Sequence, residues 1–159
     1  MAQKRPLDME AYKLWRRVEA QQMSNDGKWV TYRFVYIDND GHDKDTPITY
    51  LYNTETGKTY ELENVNQVYF FNGGKGLKYV VSPSPRDTSG VVKDSVFLMT
   101  LKNMKKRLWD RPYNCNESFD SPIITYTYPI GKTEKGKDIK RLVIWNYETG
   151  DSTVMDSLD

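Results

Sequence analysis

The 159-residue sequence has little of the material from which catalytic and metal sites are usually built. It contains one cysteine, Cys115, and one histidine, His42. A single cysteine excludes an intrachain disulfide and a zinc site built from cysteines. Neither sign of charge is in clear excess, because 23 basic and 22 acidic residues leave a formal net charge of +1. We therefore expect no cofactor, no bound metal and no binding of nucleic acid.

Long apolar runs are absent as well. No stretch approaches the roughly 18 consecutive apolar residues that a membrane-spanning helix requires, so we expect no membrane span. The basic residues 1–5 are not followed by an apolar segment, and no signal peptide is predicted in this chain. Aromatic residues, by contrast, make up 13% of the sequence. That content, at the usual length of one domain, predicts a folded core.

The amino-terminal segment predicts a short helix. Apolar residues recur at spacings of three and four between Leu7 and Val18, which is the pattern of an amphipathic helix. Asp8 is a suitable N-cap, because its carboxylate can accept hydrogen bonds from the free N–H groups of the first turn. We expect residues 1–17 to form a helix or arm, with Trp15 packed against the rest of the domain.

From residue 18 onward the sequence repeats with a period of about 47 residues. Residues 51–58 (LYNTETGK) are echoed by residues 144–151 (IWNYETGD), and a related strand–turn–strand segment, residues 96–106, lies midway between them. Such a period is typical of solenoids and propellers. A second set of corresponding segments comprises residues 24–32, 72–79 and 119–126. The three predicted copies are residues 18–64, 65–112 and 113–159.

Each copy is predicted to form four short strands. Val, Ile, Thr, Tyr and Phe, which favour a pleated surface, are interrupted at short intervals by Gly, Asn, Asp and Pro. The Glu-Thr-Gly turns supply the positive-φ positions that tight hairpins need. Met104 stands at this position in the second copy, so we expect Asn103 to adopt the left-handed conformation instead. The predicted strands are residues 18–23, 28–37, 47–53, 58–63, 66–71, 76–82, 94–101, 105–109, 115–119, 122–129, 139–146 and 151–156.

The pattern predicts an all-β fold: about three four-stranded antiparallel blades of an incomplete β-propeller, preceded by a short amino-terminal helix. A sandwich of two packed sheets is the structural alternative. The strands at 28–37 and 122–129 carry bulky residues on both faces, so we expect both faces to be covered. Because propellers usually close with about four to eight blades, the open flanks of three blades predict a homo-oligomer.

The beginning of the sequence resembles a known enzyme family. Residues 4–15 (KRPLDMEAYKLW) and 24–32 (SNDGKWVTY), with Lys-Asp-Ser at 93–95 before a strand, are similar to the start of prolyl oligopeptidase and dipeptidyl peptidase IV family serine peptidases. The resemblance is to the large exported enzymes of Bacteroidetes-type bacteria and covers nearly all of residues 4–159. It implies an amino-terminal propeller over an α/β-hydrolase domain, admission of short peptides only, and a periplasmic or otherwise exported location.

The resemblance also implies a Ser-Asp-His triad, but the sequence contains no Gly-x-Ser-x-Gly motif. The paired glutamates with which dipeptidyl peptidases hold the substrate amino terminus have no counterpart either. We therefore expect no catalytic, cofactor-binding or metal-binding residues, and a non-catalytic segment of a substrate-gating chamber. Its partners would be the missing blades, the hydrolase domain absent from this chain, and peptide substrates. The alternative is a stand-alone propeller-like module that recognises a protein or a glycan.

Three local features, two clusters and one single residue, allow other chemical interpretations. Residues 38–45 contain four aspartates and His42 but lack the spacing of an EF-hand, which predicts a solvated loop. Cys115 is predicted to be buried rather than nucleophilic. A basic cluster predicts a solvated hairpin, with a site for an anionic partner as the alternative. Its members are Lys102, Lys105, Lys106, Arg107 and Arg111.

Overall fold

The computed structural model describes residues 9–38, 47–82, 94–110 and 115–156. Within these ranges, twelve strands form three four-stranded antiparallel sheets, each with its strands in chain order. Every predicted strand is present, with its ends shifted by three residues or fewer. The predicted all-β architecture is confirmed, because β-branched and aromatic stretches between turn residues favour strands wherever neighbours can pair with them.

Each sheet is one blade, and the blades are numbered along the chain. Blade 1 contains β1 (Arg16–Met23), β2 (Trp29–Tyr36), β3 (Ile48–Asn53) and β4 (Thr59–Glu63). Blade 2 contains β5 (Val65–Phe71), β6 (Gly76–Val81), β7 (Ser95–Thr100) and β8 (Lys105–Trp109). Blade 3 contains β9 (Cys115–Glu117), β10 (Ile123–Lys132), β11 (Asp138–Asn146) and β12 (Ser152–Asp156).

The helix α1 (Met9–Lys13) is shorter than the sequence predicts. The residues from Arg16 onward pair with β2 instead, because a strand that can complete a sheet overrides a weak helical pattern. Trp15 contacts Tyr12 but remains exposed, so the predicted burial of this ring is wrong. The predicted N-cap Asp8 lies outside the described residues. In the described part of the chain, no helix has the length and apolar character to cross a membrane.

The hydrophobic core lies between neighbouring blades. The core between blades 1 and 2 includes Trp29 and Leu51 from blade 1 with Leu77, Tyr79 and Met99 from blade 2. The core between blades 2 and 3 has the same construction. It contains Phe71, Val80, Val96, Leu98, Trp109, Ile124, Tyr126, Val143, Trp145 and Tyr147.

The two outer blades are covered on one face only, within the described residues. In β2 the residues that face blade 2, Trp29 and Thr31, are buried, whereas Phe34 on the opposite face is exposed. In β10, Ile124 and Tyr126 are buried against blade 2, and the end of the strand is exposed. Among the described residues, the prediction that both faces of these strands are covered is therefore wrong, because within those ranges each strand belongs to a blade that packs on one other blade.

The turn between β7 and β8 also differs from the prediction. Met104 itself adopts φ +55°, at the position where blades 1 and 3 have Gly57 and Gly150. Asn103 keeps a negative φ, and its side-chain Oδ1 accepts a hydrogen bond from the Lys105 N–H at 3.1 Å. The side chain of Met104 packs against the core between blades 1 and 2, and this packing offsets the cost of a left-handed non-glycine residue.

Candidate functional site

A cleft of about 790 Å³ opens across all three blades. It lies at the end that carries the β1–β2 and β3–β4 turns of blade 1 and the corresponding turns of blades 2 and 3. In an antiparallel sheet, alternate connections lie at the same end. The repeat therefore brings three sets of turns together around one depression.

The repeated Asn-x-Glu-Thr-Gly segments build two of these turns in the same way. The Asn53 Oδ1 accepts hydrogen bonds from the N–H groups of the two residues at 55 and 56, at 3.0 and 2.8 Å. Asn146 does the same for the residues at 148 and 149, at 3.0 and 3.2 Å. Such Asx turns fix the backbone locally. As a result, Glu55 of blade 1 and Glu148 of blade 3 both line the cleft.

Aromatic residues line the floor of the cleft, and hydrogen bonds between blades 2 and 3 hold one of them in place. Trp29, Trp145 and Tyr147 contribute aromatic surface. The buried Asn72 donates from Nδ2 to the Tyr147 hydroxyl at 2.9 Å and to Glu148 Oε1 at 3.3 Å. Burial raises the pKa of Tyr147, so its hydroxyl stays protonated at neutral pH. These contacts join the β5–β6 turn of blade 2 to the β11–β12 turn of blade 3.

Close packing of two turns shapes the other side of the cleft. Gly74 has φ +88°, and a Cβ added there would lie 2.5 Å from Asp26 Oδ1. The Asp26 carboxylate accepts hydrogen bonds from the Ser24 hydroxyl at 2.6 Å and from the Lys28 N–H at 3.1 Å. Glycine at position 74 therefore lets the β5–β6 turn approach the β1–β2 turn of blade 1.

The cleft wall carries more basic than acidic side chains. Lys28 is paired with Glu55, with Nζ 2.9 Å from Oε1, and the hydrogen bond to Glu55 raises the pKa of Lys28. Lys75, Lys102 and Lys105 form no ion pair within the described ranges. Their charges are available to an anionic group. The basic members of the lining are Lys28, Lys75, Lys102, Lys105 and Arg107, and the acidic members are Asp26, Glu55 and Glu148.

The structure divides the basic cluster predicted from the sequence. Lys102, Lys105 and Arg107 line the cleft, and the guanidinium carbon of Arg107 lies 5.4 Å from the ring centroid of Trp145. Lys106 points to the other face of β8, above the Phe97 ring, because successive side chains of a strand alternate. Arg111 lies outside the described residues.

Sequence reasoning missed the contribution of the other turns to this cleft. Lys28 and Lys75 occupy corresponding places at the β1–β2 and β5–β6 turns, and Glu55 and Glu148 lie in the repeated turn motif. The signal was therefore present as charged residues at equivalent turn positions of the repeat. Residues 39–46 of the aspartate-rich segment, including His42, lie outside the described residues. Among the described residues, no group of three or more His, Cys, Asp or Glu side chains could hold a metal ion.

Cys115 lies apart from the cleft, between blades 2 and 3. Its Sγ is 3.2 Å from Glu117 Oε1 and 3.8 Å from Lys78 Nζ, and Lys78 and Glu117 form an ion pair. Burial, followed by the hydrogen bond to Glu117 and its negative charge, raises the pKa of Cys115 to about 12. Because the thiolate is the nucleophile, this environment disfavours nucleophilic chemistry. The side chain itself is half-buried, so the predicted burial of Cys115 is met only in part.

The thiol is expected to react slowly in the folded protein. At pH 8.5, alkylation of Cys115 by iodoacetamide should be at least about 100-fold slower than in the urea-unfolded chain, because each pKa unit lowers the thiolate fraction tenfold. Mass spectrometry of the adduct over time measures both rates. The Glu117→Gln variant should react faster than the parent, since it lacks the charge that opposes the thiolate. Equal rates for folded and unfolded protein would contradict the assignment.

Comparison with known proteins bears on the fold. No protein-family model and no curated protein matches the chain. Among solved structures, the chain is similar to the β-propeller domain of the Trilobed protease from Pyrococcus furiosus, with a TM-score of 0.52 and 13% identity over 90% of this chain and 43% of that one. It is also similar to an acylaminoacyl peptidase in complex with Z-Gly-Gly-Phe-chloromethyl ketone, with a TM-score of 0.51 and 10% identity over 95% of this chain and 27% of that one.

A third similar structure is the acylaminoacyl peptidase of Pyrococcus horikoshii, with a TM-score of 0.50 and 10% identity. It is matched over 95% of this chain and 27% of its own length. The chain thus spans less than half the length of each of these three structures. At this level of identity the likeness shows the fold, and the predicted incomplete β-propeller is confirmed in preference to a sandwich.

Proposed function

We propose that the chain is a non-catalytic propeller segment from the amino-terminal part of a prolyl oligopeptidase-like serine peptidase. The observation that carries this proposal is the likeness of 90–95% of the chain to the propeller domain of one protease and to two acylaminoacyl peptidases. The resemblance of residues 4–15 and 24–32 to the beginning of such enzymes supports it independently. The remaining blades and the hydrolase domain are partners absent from this chain.

In this proposal the segment builds part of the chamber through which peptides reach the hydrolase. A ring of packed blades is rigid, because each sheet is held to its neighbour by a close-packed core. Its opening admits extended peptides and excludes folded proteins by size. The cleft across the three blade ends supports such a role, since aromatic surface, carboxylates and free lysines together suit the backbone and charged termini of a peptide. A periplasmic or otherwise exported location belongs to the same proposal.

The chain by itself is expected to hydrolyse no chromogenic Xaa-Pro or Xaa-Ala peptide above the buffer blank. The reason is chemical: the sequence has no Gly-x-Ser-x-Gly motif to present a serine nucleophile. Release of the chromophore, followed by absorbance, measures turnover. A prolyl oligopeptidase-family enzyme with its hydrolase domain is the positive control. Hydrolysis by the purified chain at a rate that survives further purification would contradict the proposal.

The encoding gene supplies a second test that does not depend on activity. We expect the reading frame to continue beyond the codon for Asp159 and to reach a Gly-x-Ser-x-Gly motif several hundred residues later. A stop codon directly after Asp159 would instead favour the second candidate, a stand-alone propeller-like module that recognises a protein or a glycan. One observation supports that candidate: Lys75, Lys102 and Lys105 lie beside the aromatic floor of the cleft with no ion pair in the described ranges.

A further inference from the structure

The three carboxylates that line the cleft already have partners in the fold. Glu55 Oε1 lies 2.9 Å from the Nζ of Lys28. Asp26 accepts hydrogen bonds from a side chain and a backbone N–H of its own turn, and Glu148 accepts one from the Asn72 amide at 3.3 Å. The negative charges of the cleft are therefore engaged in holding the turns that carry them.

Most of the basic side chains of the cleft have no such partner. Of the five basic members of the lining, only Lys28 forms an ion pair among the described residues. The other four are exposed and have no ion-pair partner in that part of the chain: Lys75, Lys102, Lys105 and Arg107. Five basic and three acidic residues give the lining a formal net charge of +2. The cleft therefore favours an anionic ligand.

The fold of blade 2 gathers these four positive charges at the cleft. The Lys75 carbonyl accepts a hydrogen bond from the Leu101 N–H at 2.9 Å, so Lys75 lies beside the turn that carries Lys102. Lys105 begins the next strand, β8, and Arg107 follows it on the same face. Residues two apart on a strand are separated by about 6.6 Å. Alternate side chains of an extended peptide have the same spacing, so carboxylates at every second position can meet Lys105 and Arg107 in turn.

The floor of the cleft disfavours ligands that bind by stacking. Trp29, Trp145 and Tyr147 are 8%, 3% and 6% exposed, and Arg107 lies over the Trp145 ring. A sugar ring or a nucleic-acid base that stacks needs an open aromatic face. These buried rings provide an apolar floor instead, which favours an extended chain held by its charged side chains over a glycan or a nucleic acid.

We propose that the cleft binds an extended peptide with acidic side chains at alternate positions. The carboxylates of the peptide pair with the four basic side chains that have no ion-pair partner among the described residues. The planar guanidinium of Arg107 can hold one carboxylate through two hydrogen bonds, whereas each lysine supplies a point charge. The inference rests on the proposed function for the choice of a peptide as ligand, and it deepens that function by naming the class of peptide.

Binding of a labelled peptide to the purified chain tests the proposal. The probe is a fluorescein-labelled decapeptide in which Glu alternates with Ser and both ends are blocked, and the reference peptide has Gln in place of Glu. Fluorescence anisotropy at low ionic strength should show at least about tenfold tighter binding of the Glu peptide, because each exposed ion pair contributes up to about fivefold. The preference should shrink as salt is added, since salt screens exposed charges.

Two triple variants with the same change of net charge separate the cleft from the rest of the surface. Replacing the three unpaired cleft lysines should weaken binding of the Glu peptide about 10- to 100-fold: Lys75→Gln, Lys102→Gln and Lys105→Gln. The matched control replaces three exposed lysines of the β10–β11 hairpin, outside the cleft lining, and should bind within about twofold of the parent: Lys132→Gln, Lys135→Gln and Lys137→Gln. Thermal melts confirm that both variants fold; if the cleft triple does not, Lys102→Gln alone replaces it.

The role of Arg107 has a separate test, because Arg107→Lys keeps the positive charge. This variant should bind the Glu peptide about threefold more weakly than the parent, since an ammonium group cannot form the two-point pair. Lys106→Gln, which changes a side chain on the opposite face of β8, should leave the affinity unchanged.

Three results would overturn the proposal. The first is no measurable binding of the Glu peptide, or equal affinity for the Glu and Gln peptides. The second is an equal loss of affinity in the two triple variants, which indicates attraction by net charge alone. The third is tighter binding of a uronic acid polysaccharide than of the Glu peptide, which assigns the cleft to a glycan. Because no outcome involves hydrolysis or the reading frame, the inference can fail while the proposed function stands.

Discussion

Replacing Leu51 with alanine is expected to lower the free energy of unfolding by about 2–5 kcal/mol. Leu51 is 0% exposed and belongs to the core between blades 1 and 2. Its removal takes apolar surface out of the core and leaves a cavity, because the strands around it are held by their ladders and relax only in part. Urea unfolding followed by tryptophan fluorescence measures the loss.

The repeat provides a matched control for Leu51→Ala. Ile144 holds the corresponding position in blade 3 but faces away from blade 2, so Ile144→Ala should change the stability of the chain by less than about 1 kcal/mol. Leu98→Ala, in the equivalent core between blades 2 and 3, should behave like Leu51→Ala. Equal effects at positions 51 and 144 would show that burial between blades is not what stabilises these side chains.

Replacing Glu117 with leucine is expected to cost about 3–5 kcal/mol, because it removes the carboxylate that neutralises the largely desolvated ammonium group of Lys78. The two side chains are 14% and 17% exposed, and they form an ion pair between β6 of blade 2 and β9 of blade 3. Lys78 would retain its contact with the Tyr69 ring, whose centroid lies 5.2 Å from Nζ. This cation–π contact stabilises a desolvated ammonium group less than a carboxylate does. Chemical unfolding at neutral pH gives the value.

A double replacement separates the loss of the ion pair from the cost of a desolvated lysine that lacks the Glu117 carboxylate. Lys78→Met with Glu117→Leu should restore most of the stability that Glu117→Leu removes, since apolar side chains of similar volume often replace a buried ion pair at little cost. The single variant Lys78→Met should be intermediate. If the two single effects simply add in the double variant, the side chains do not interact in the folded protein and the contact between blades 2 and 3 needs another explanation.

The local sequence predicted the strands well, but it did not predict the start of β1 or the conformation of the β7–β8 turn. Alternating β-branched and aromatic residues between Gly, Asn and Asp predict all twelve described strands, because those preferences act over a few residues. The predictions fail where residues distant in the sequence determine the local conformation. Arg16 joins β1 because β2 lies beside it, and Met104 adopts a left-handed conformation while its side chain packs on a core built from two blades.

The period, the propeller class and two of the three repeated turns can be read from the sequence, since each is encoded in neighbouring residues that recur along the chain. Which residues meet across the blades depends on the tertiary structure. It brings Lys28, Lys75 and Trp145 of three blades to one cleft, places Cys115 beside Lys78 and Glu117, and separates the buried Leu51 from its equivalent Ile144. The physical reason is that contacts between blades join side chains far apart in the chain, and periodicity tells which face a residue occupies but not what covers that face.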